Sequence, residues 1–193
     1  KDLIDHFETR SKTQPGKALV VGMSRDICAR LYDEIIKIRP KWHNDDHNKG
    51  SIKVVMTASA ADEEHLQPHH TSKQQKKDLE KRFKDPSDEL KIVIVRDMWL
   101  TGFDAPCLTT MYVDKPMKGA NLAQAIARVN RVFADKPGGL IVDYIGIAPQ
   151  LKEALATYSA AKGKGRPTVD TGEALRILEE KLMVARDLLH PVD

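Results

Sequence analysis

The chain has 193 residues, 41% of them hydrophobic and 31% charged, enough for one full domain with an appendage around a real core. Its formal net charge of +3 is too mild to demand a polyanionic partner, because dedicated nucleic-acid-binding domains carry a stronger basic excess. Two cysteines, Cys28 and Cys107, imply buried thiols in a reducing cytoplasm rather than a disulfide framework, and no apolar run approaches the roughly 20 residues that cross a bilayer, so no membrane partner is expected.

Residues 1–16 read as a polar lead-in that closes on Gln14, Pro15 and Gly16. Residues 18–22 are a short apolar run bounded by turn formers, which predicts a buried strand. Ser24 is placed to cap a helix in which Ile27, Leu31, Ile35 and Ile38 recur at spacings of four, four and three until Pro40 stops it. A polar loop over 44–50 leads to a second strand at 52–56, and a long polar connection leads to a charged helix over 72–83. Strands follow at 90–95 and 108–113, then a helix over 122–133 and a strand at 139–144. Continuous β-branched runs separated by helices predict a parallel α/β sheet covered on both faces and wound by right-handed crossovers.

Beyond residue 147 the pattern is helical only: 151–161, a basic glycine linker over 162–166, and a helix over 173–189. Asp170 and Glu173 fit a capping box there, and Leu175, Leu178, Leu182, Ala185 and Leu189 make one apolar stripe that needs a surface to pack on. The expected organisation is a lead-in (1–16), an α/β domain (17–147) and a helical extension (148–193) leading to a further domain. Lacking an initiator methionine, the chain reads as a piece of a longer polypeptide.

Chemistry concentrates between residues 97 and 131. On the helix over 122–133, Leu122, Ile126, Val129 and Phe133 are spaced by four, three and four, while Gln124, Arg128 and Arg131 keep that spacing displaced by two residues, ~200° around the axis. Arginines fixed on such a helix can stabilise charge on a transferring γ-phosphoryl group. The alternative is a solvated amphipathic helix, with Gln124 completing a capping box with Asn121. Thr101, Gly102, Phe103 and Asp104 follow the third strand at the carboxyl edge, where open α/β sheets bind ligands. Gly102 permits a tight turn, Thr101 can donate its hydroxyl to a backbone phosphate, and Asp104 can orient an arginine or accept from a ribose hydroxyl or water. Alone this is an ordinary turn; next to the arginine helix it becomes half of a site.

The run from Thr101 to Pro106 resembles motif V, and that from Gln124 to Arg131 motif VI, of superfamily 2 helicases and translocases. Together with the segments starting at Asp97, Leu122 and Lys136, they look like the motor subunit of type I restriction enzymes, over residues 17–147. The resemblance implies a RecA-like second motor domain. It implies Arg131 as the arginine finger and Arg128 as a phosphate contact toward ATP and Mg2+ seated mainly on a first RecA-like domain, with Gln124, Gly102 and Asp104 lining the same cleft. Thr101 would touch the backbone of double-stranded DNA. Ser24 and Arg25 stand at the motif IV position and would meet DNA phosphates, with Thr57 and Ser59 as weaker candidates. The modification and specificity subunits of a restriction complex would be further partners. Ala127 stands where many superfamily members carry glycine, a difference of one methyl group.

The sequence has no Gly-x-x-x-x-Gly-Lys-[Ser/Thr] loop, since Gly16-Lys17 is followed by alanine, and no Walker B-type acidic cluster or nuclease core. The fragment alone is therefore expected to be inactive. His43 and His47 have metal-like spacing but Asn44 stands where a metalloprotease helix needs glutamate, so no metal is expected; His65, His69 and His70 read as surface. Lys73, Lys76, Lys77, Lys81, Arg82 and Lys84 read as a solvated helix face in preference to a phosphate track. The rival functions are the equivalent domain of a repair or remodelling helicase and a non-catalytic nucleic-acid-binding module.

Overall fold

The computed structural model describes residues 1–100, 102–130, 138–150, 152, 153 and 156. Thr101 and Arg131 lie outside the described residues, as do the linker over 162–166 and the helix expected over 173–189. The chain divides into two compact units, Lys1–Ala154 and Leu155–Asp193, and the first contains the sheet.

The polar lead-in proves to be a helix, α1 (Asp2–Thr13). Leu3, Ile4 and Phe7 are its buried residues, and polar side chains fasten it as well: Arg10 Nε donates to Thr110 Oγ1 at 3.0 Å, and His6 Nδ1 is hydrogen-bonded to the Tyr112 hydroxyl at 2.8 Å. Three apolar side chains among charges make too narrow a stripe to be read without the surface that receives it.

Five strands follow: β1 (Lys17–Gly22), β2 (Ile52–Val55), β3 (Ile92–Val95), β4 (Leu108–Asp114) and β5 (Leu140–Asp143). They form one all-parallel sheet in the order β2-β3-β1-β4-β5, as the apolar runs imply. The helices between them are α2 (Arg25–Ile38), α3 (Lys73–Lys84) and α4 (Gly119–Val129). Ser24 caps α2 and a Ser72–Gln75 capping box opens α3. The register aligns Ala18, Ile52 and Ile92 in one row and Val20, Val54, Ile94 and Tyr112 in the next. These residues face α1 and α2 in a single buried cluster.

Lys17 has the opposite parity, and its side chain meets α3: Nζ donates to the Arg82 carbonyl at 2.6 Å and lies 5.6 Å from the Phe83 ring centroid. The β2-to-β3 and β4-to-β5 crossovers step along the sheet in the same direction, so right-handedness puts α3 and α4 on that same second face. Both faces are covered, and the all-parallel strand order is RecA-like. Among the described residues no helix is long and apolar enough to cross a membrane.

Among its described residues the β3-to-β4 connection contains no helix. Arg96 Nε donates to the Met23 carbonyl at the carboxyl end of β1, and Lys115, just past β4, is paired with Asp97. Further along, the Trp99 and Phe103 rings stack at 4.4 Å and lean on Phe83, while Lys84 Nζ sits 5.2 Å from the Phe103 centroid. Cys107 Sγ reaches the Phe83 carbonyl at 3.3 Å, and the Cys107 carbonyl accepts from the Lys17 amide at the amino end of β1. The segment therefore descends the whole sheet beside α3, from carboxyl edge to amino edge.

Candidate functional site

The parallel strands β1 and β2 deliver their exits to one edge, and Ser24, Arg25, Thr57 and Ser59 gather there. Ser24 Oγ accepts from the Ile27 amide at 3.1 Å, so this hydroxyl caps α2. Arg25 Nη1 donates to the Thr57 carbonyl at 2.9 Å and to Asp62 Oδ2 at 2.6 Å. The same carboxylate accepts from the Ser59 amide at 2.9 Å and lies 3.0 Å from His70 Nε2. Its side chain is only 3% exposed. The Arg25 hydrogen bond, joined by the Ser59 amide and His70, holds the Asp62 carboxyl below its usual range. Thr57 and Ser59 remain exposed. Asp62 had no signal in the sequence, because an isolated carboxylate in a polar loop has no periodic context.

The glycine-aspartate turn runs beside α3, with Phe103 against Phe83 and Lys84 near the end of that helix and Gly102 bordering Lys73, Lys76 and Lys77 near its start. Stacking of the buried Trp99 and Phe103 draws the chain down the face. Gly102 has φ +68° and no atom within 4 Å of the position its Cβ would take, so the backbone sign, not space, calls for glycine. Gly102 and Asp104 are both exposed.

On α4, Leu122, Ala125, Ile126 and Val129 are buried while Gln124 is exposed, the two-faced helix read from the spacing. The helix starts at Gly119 with Lys118 as its N-cap, so Asn121 lies inside it and the alternative capping box with Gln124 does not form. Its far end abuts β5: Asn130 Oδ1 accepts from the Gly139 amide at 3.0 Å. Arg128 lies in the last turn of this helix.

Arg128 Nε and Nη1 are buried and have no hydrogen-bond partner among the described residues, and burial pushes this guanidinium's pKa down. Shielded donors without an acceptor are costly and uncommon. A phosphate oxygen is the kind of acceptor that would satisfy them.

Other expectations change. His69 is buried against Tyr32 at 4.8 Å between ring centroids, and His65 and His70 pair with Asp26 and Asp62, so none of the three is a bare surface histidine. Arg82 is buried, donates to the His47, Lys49 and Gly50 carbonyls and pairs with Asp88, which removes it from any phosphate track. Cys28 and Cys107 are buried free thiols, and burial pushes the Cys28 thiol up to about 11.

Residues 40–146 match the family described as type I restriction enzyme subunit R domain 3. The chain is 54% identical over 190 residues, 97% of its length, to the type I restriction enzyme HindI endonuclease subunit of Haemophilus influenzae, of which it covers 18%. It is 53% identical over 165 residues, 85% of its length, to the type I restriction enzyme MjaIXP endonuclease subunit of Methanocaldococcus jannaschii, of which it covers 15%. A solved fragment of an HsdR subunit of a type I restriction enzyme from Vibrio vulnificus is similar with TM-score 0.48 and 17% identity, over 76% of this chain and 26% of that one. The chain spans less than a fifth of the length of the two curated relatives.

Proposed function

Because this chain belongs to the type I restriction enzyme R-subunit family, as its domain 3, we propose that residues 17–147 are the second motor domain of an ATP-dependent double-stranded DNA translocase. Residues 148–193 lead from it into a further domain. The observation that carries this reading is Arg128, whose shielded Nε and Nη1 have no acceptor among the described residues. In a motor, that acceptor is a phosphate oxygen of ATP held, with Mg2+, on the first RecA-like domain of the same polypeptide.

Arg131 is the arginine finger and Arg128 the phosphate contact, while Gln124, Gly102 and Asp104 border the same cleft. ATP supplies the free energy of phosphoryl transfer. The arginines draw this domain toward the nucleotide-bearing one and release it when the charge they face departs, which is a two-state gate. Thr101, Ser24 and Arg25, with Thr57 and Ser59, hold the DNA backbone, so opening and closing the cleft shifts their grip along the duplex. The modification and specificity subunits complete the cytoplasmic complex, and DNA cleavage belongs to another domain. This fragment alone turns over nothing.

Replacing Arg131 with alanine in the intact subunit should lower DNA-stimulated ATP hydrolysis by roughly 10³–10⁵-fold while folding and DNA binding persist. Near-normal turnover would refute the assignment.

A further inference from the structure

We infer that the groove between α3 and the descending segment is a second holding site for DNA-backbone phosphates, built from Lys73, Lys76 and Lys77. The inference rests on the reading of this domain as a DNA motor. The groove is an open one of about 450 Å³, with the three lysines on one wall and Met98, Trp99 and Gly102 on the other.

Its charge is unusual for a helix start. The lysines are three and four residues apart, so they share one face of the first two turns of α3, and no acid stands in the first turn. Cations there oppose the positive end of the helix dipole and repel each other. Other cations of the same helix are satisfied: Arg82 pairs with Asp88, and Lys84 with Glu80. The two acids that border the groove are already engaged, Glu80 by Lys84 and Asp97 by Arg96 and Lys115. Among the described residues none of the three lysines has an ion-pair partner. A positive groove remains, and an anion would complete it.

The chemistry selects side chains over backbone as the holding groups. The Ser72–Gln75 capping box occupies amide donors at the start of α3, so the lysine ammonium groups must carry the contact. They are flexible point charges, suited to phosphates and indifferent to base sequence. The opposite wall is stiff: Trp99 holds φ +64°, rare for a bulky residue, and is stacked on Phe103. Position selects the duplex as the partner. Because α3 runs antiparallel to the strands, its start opens at the edge that presents Arg25 and Thr57. A backbone crossing that edge would meet both sets of contacts.

The test compares three forms of the intact R subunit for the salt dependence of binding to duplex DNA: the wild type, the triple variant Lys73→Gln/Lys76→Gln/Lys77→Gln, and a control with equal charge loss, Lys12→Gln/Lys41→Gln/Lys81→Gln. The groove variant should lower the slope of log affinity against log salt by about 2.7, at about 0.9 per lost contact, with the control near wild type. Its melting temperature should hold or rise, since the substitution relieves repulsion at a helix start. An unchanged slope, an equal change in the control, or an unchanged slope with a lowered melting temperature overturns the groove assignment. A wild type that binds no duplex overturns the motor reading itself, and the groove assignment falls with it.

Discussion

Arg25 Nη1 lies 2.6 Å from Asp62 Oδ2, so the arginine that reads as a DNA contact is held in an ion pair before any phosphate arrives. The pair fastens the loop after β2 to the start of α2, and the loop's Ser59 amide donates to the same oxygen.

This pairing has a pH signature. Asp62, held low chiefly by Arg25, is joined by Glu8, lowered by its bond from Arg39, and Asp85, lowered by Ser87. Their folded pKa values lie below the unfolded ones, so the stability they contribute is full above the ordinary carboxylate pKa of about 4 and is lost as pH falls through the folded values. Melting followed from neutral to strongly acid pH should show this loss, and Asp62→Asn should flatten part of it. Superimposable profiles for variant and wild type would remove Asp62 from the account.

Lys17 behaves in the opposite sense. It is 1% exposed, and burial pulls its pKa down to about 8. Between about 8 and the unfolded value of about 10.4 the unfolded chain holds a proton that the folded chain has released, so this residue's contribution to stability rises with pH. In urea unfolding, the stability difference between wild type and Lys17→Met should shift toward wild type as pH rises from 8 to 10. A difference independent of pH would show that Lys17 stays charged in the fold.

Arg128 should show stability and function pulling apart. Among the described residues its Nε and Nη1 have no hydrogen-bond partner, so Arg128→Met removes a desolvated charge without breaking a bond at those two atoms. The variant should melt at or above the wild-type temperature while the intact subunit loses DNA-stimulated ATP hydrolysis by orders of magnitude. A marked drop in melting temperature would assign Arg128 to the fold instead of the cleft.

Gly102 separates backbone from packing. With φ +68° and open space around its Cβ position, Gly102→Ala should cost about 1–2 kcal/mol from the left-handed conformation alone. Gly102→Asn should cost less, since asparagine visits that region more readily. Equal losses for both, measured by chemical denaturation, would point to a steric cause.

The strands and crossover helices were legible because buried parallel strands need unbroken apolar runs and the helices between them need an apolar stripe, as with residues 18–22 and the Leu122, Ile126, Val129 face. Arg128 stood out for the same reason, as a cation on the polar side of a patterned helix. α1 was not legible, since Leu3, Ile4 and Phe7 acquire meaning only against the sheet that buries them. Nor was Asp62, whose partners Arg25 and His70 lie 37 and 8 residues away.

Sequence by itself determined the alternation of elements, the polar face of α4 and the family pattern, all properties of spacing along one chain. Tertiary structure alone decided that the chain after β3 descends the sheet on a stack of Trp99 and Phe103, that Arg82 is spent on carbonyls while Lys73, Lys76 and Lys77 are left facing a groove, and that Arg128 has shielded donors without acceptors among the described residues. Those outcomes depend on which groups share a solvent-excluded space, and that is set by packing between segments distant in the chain.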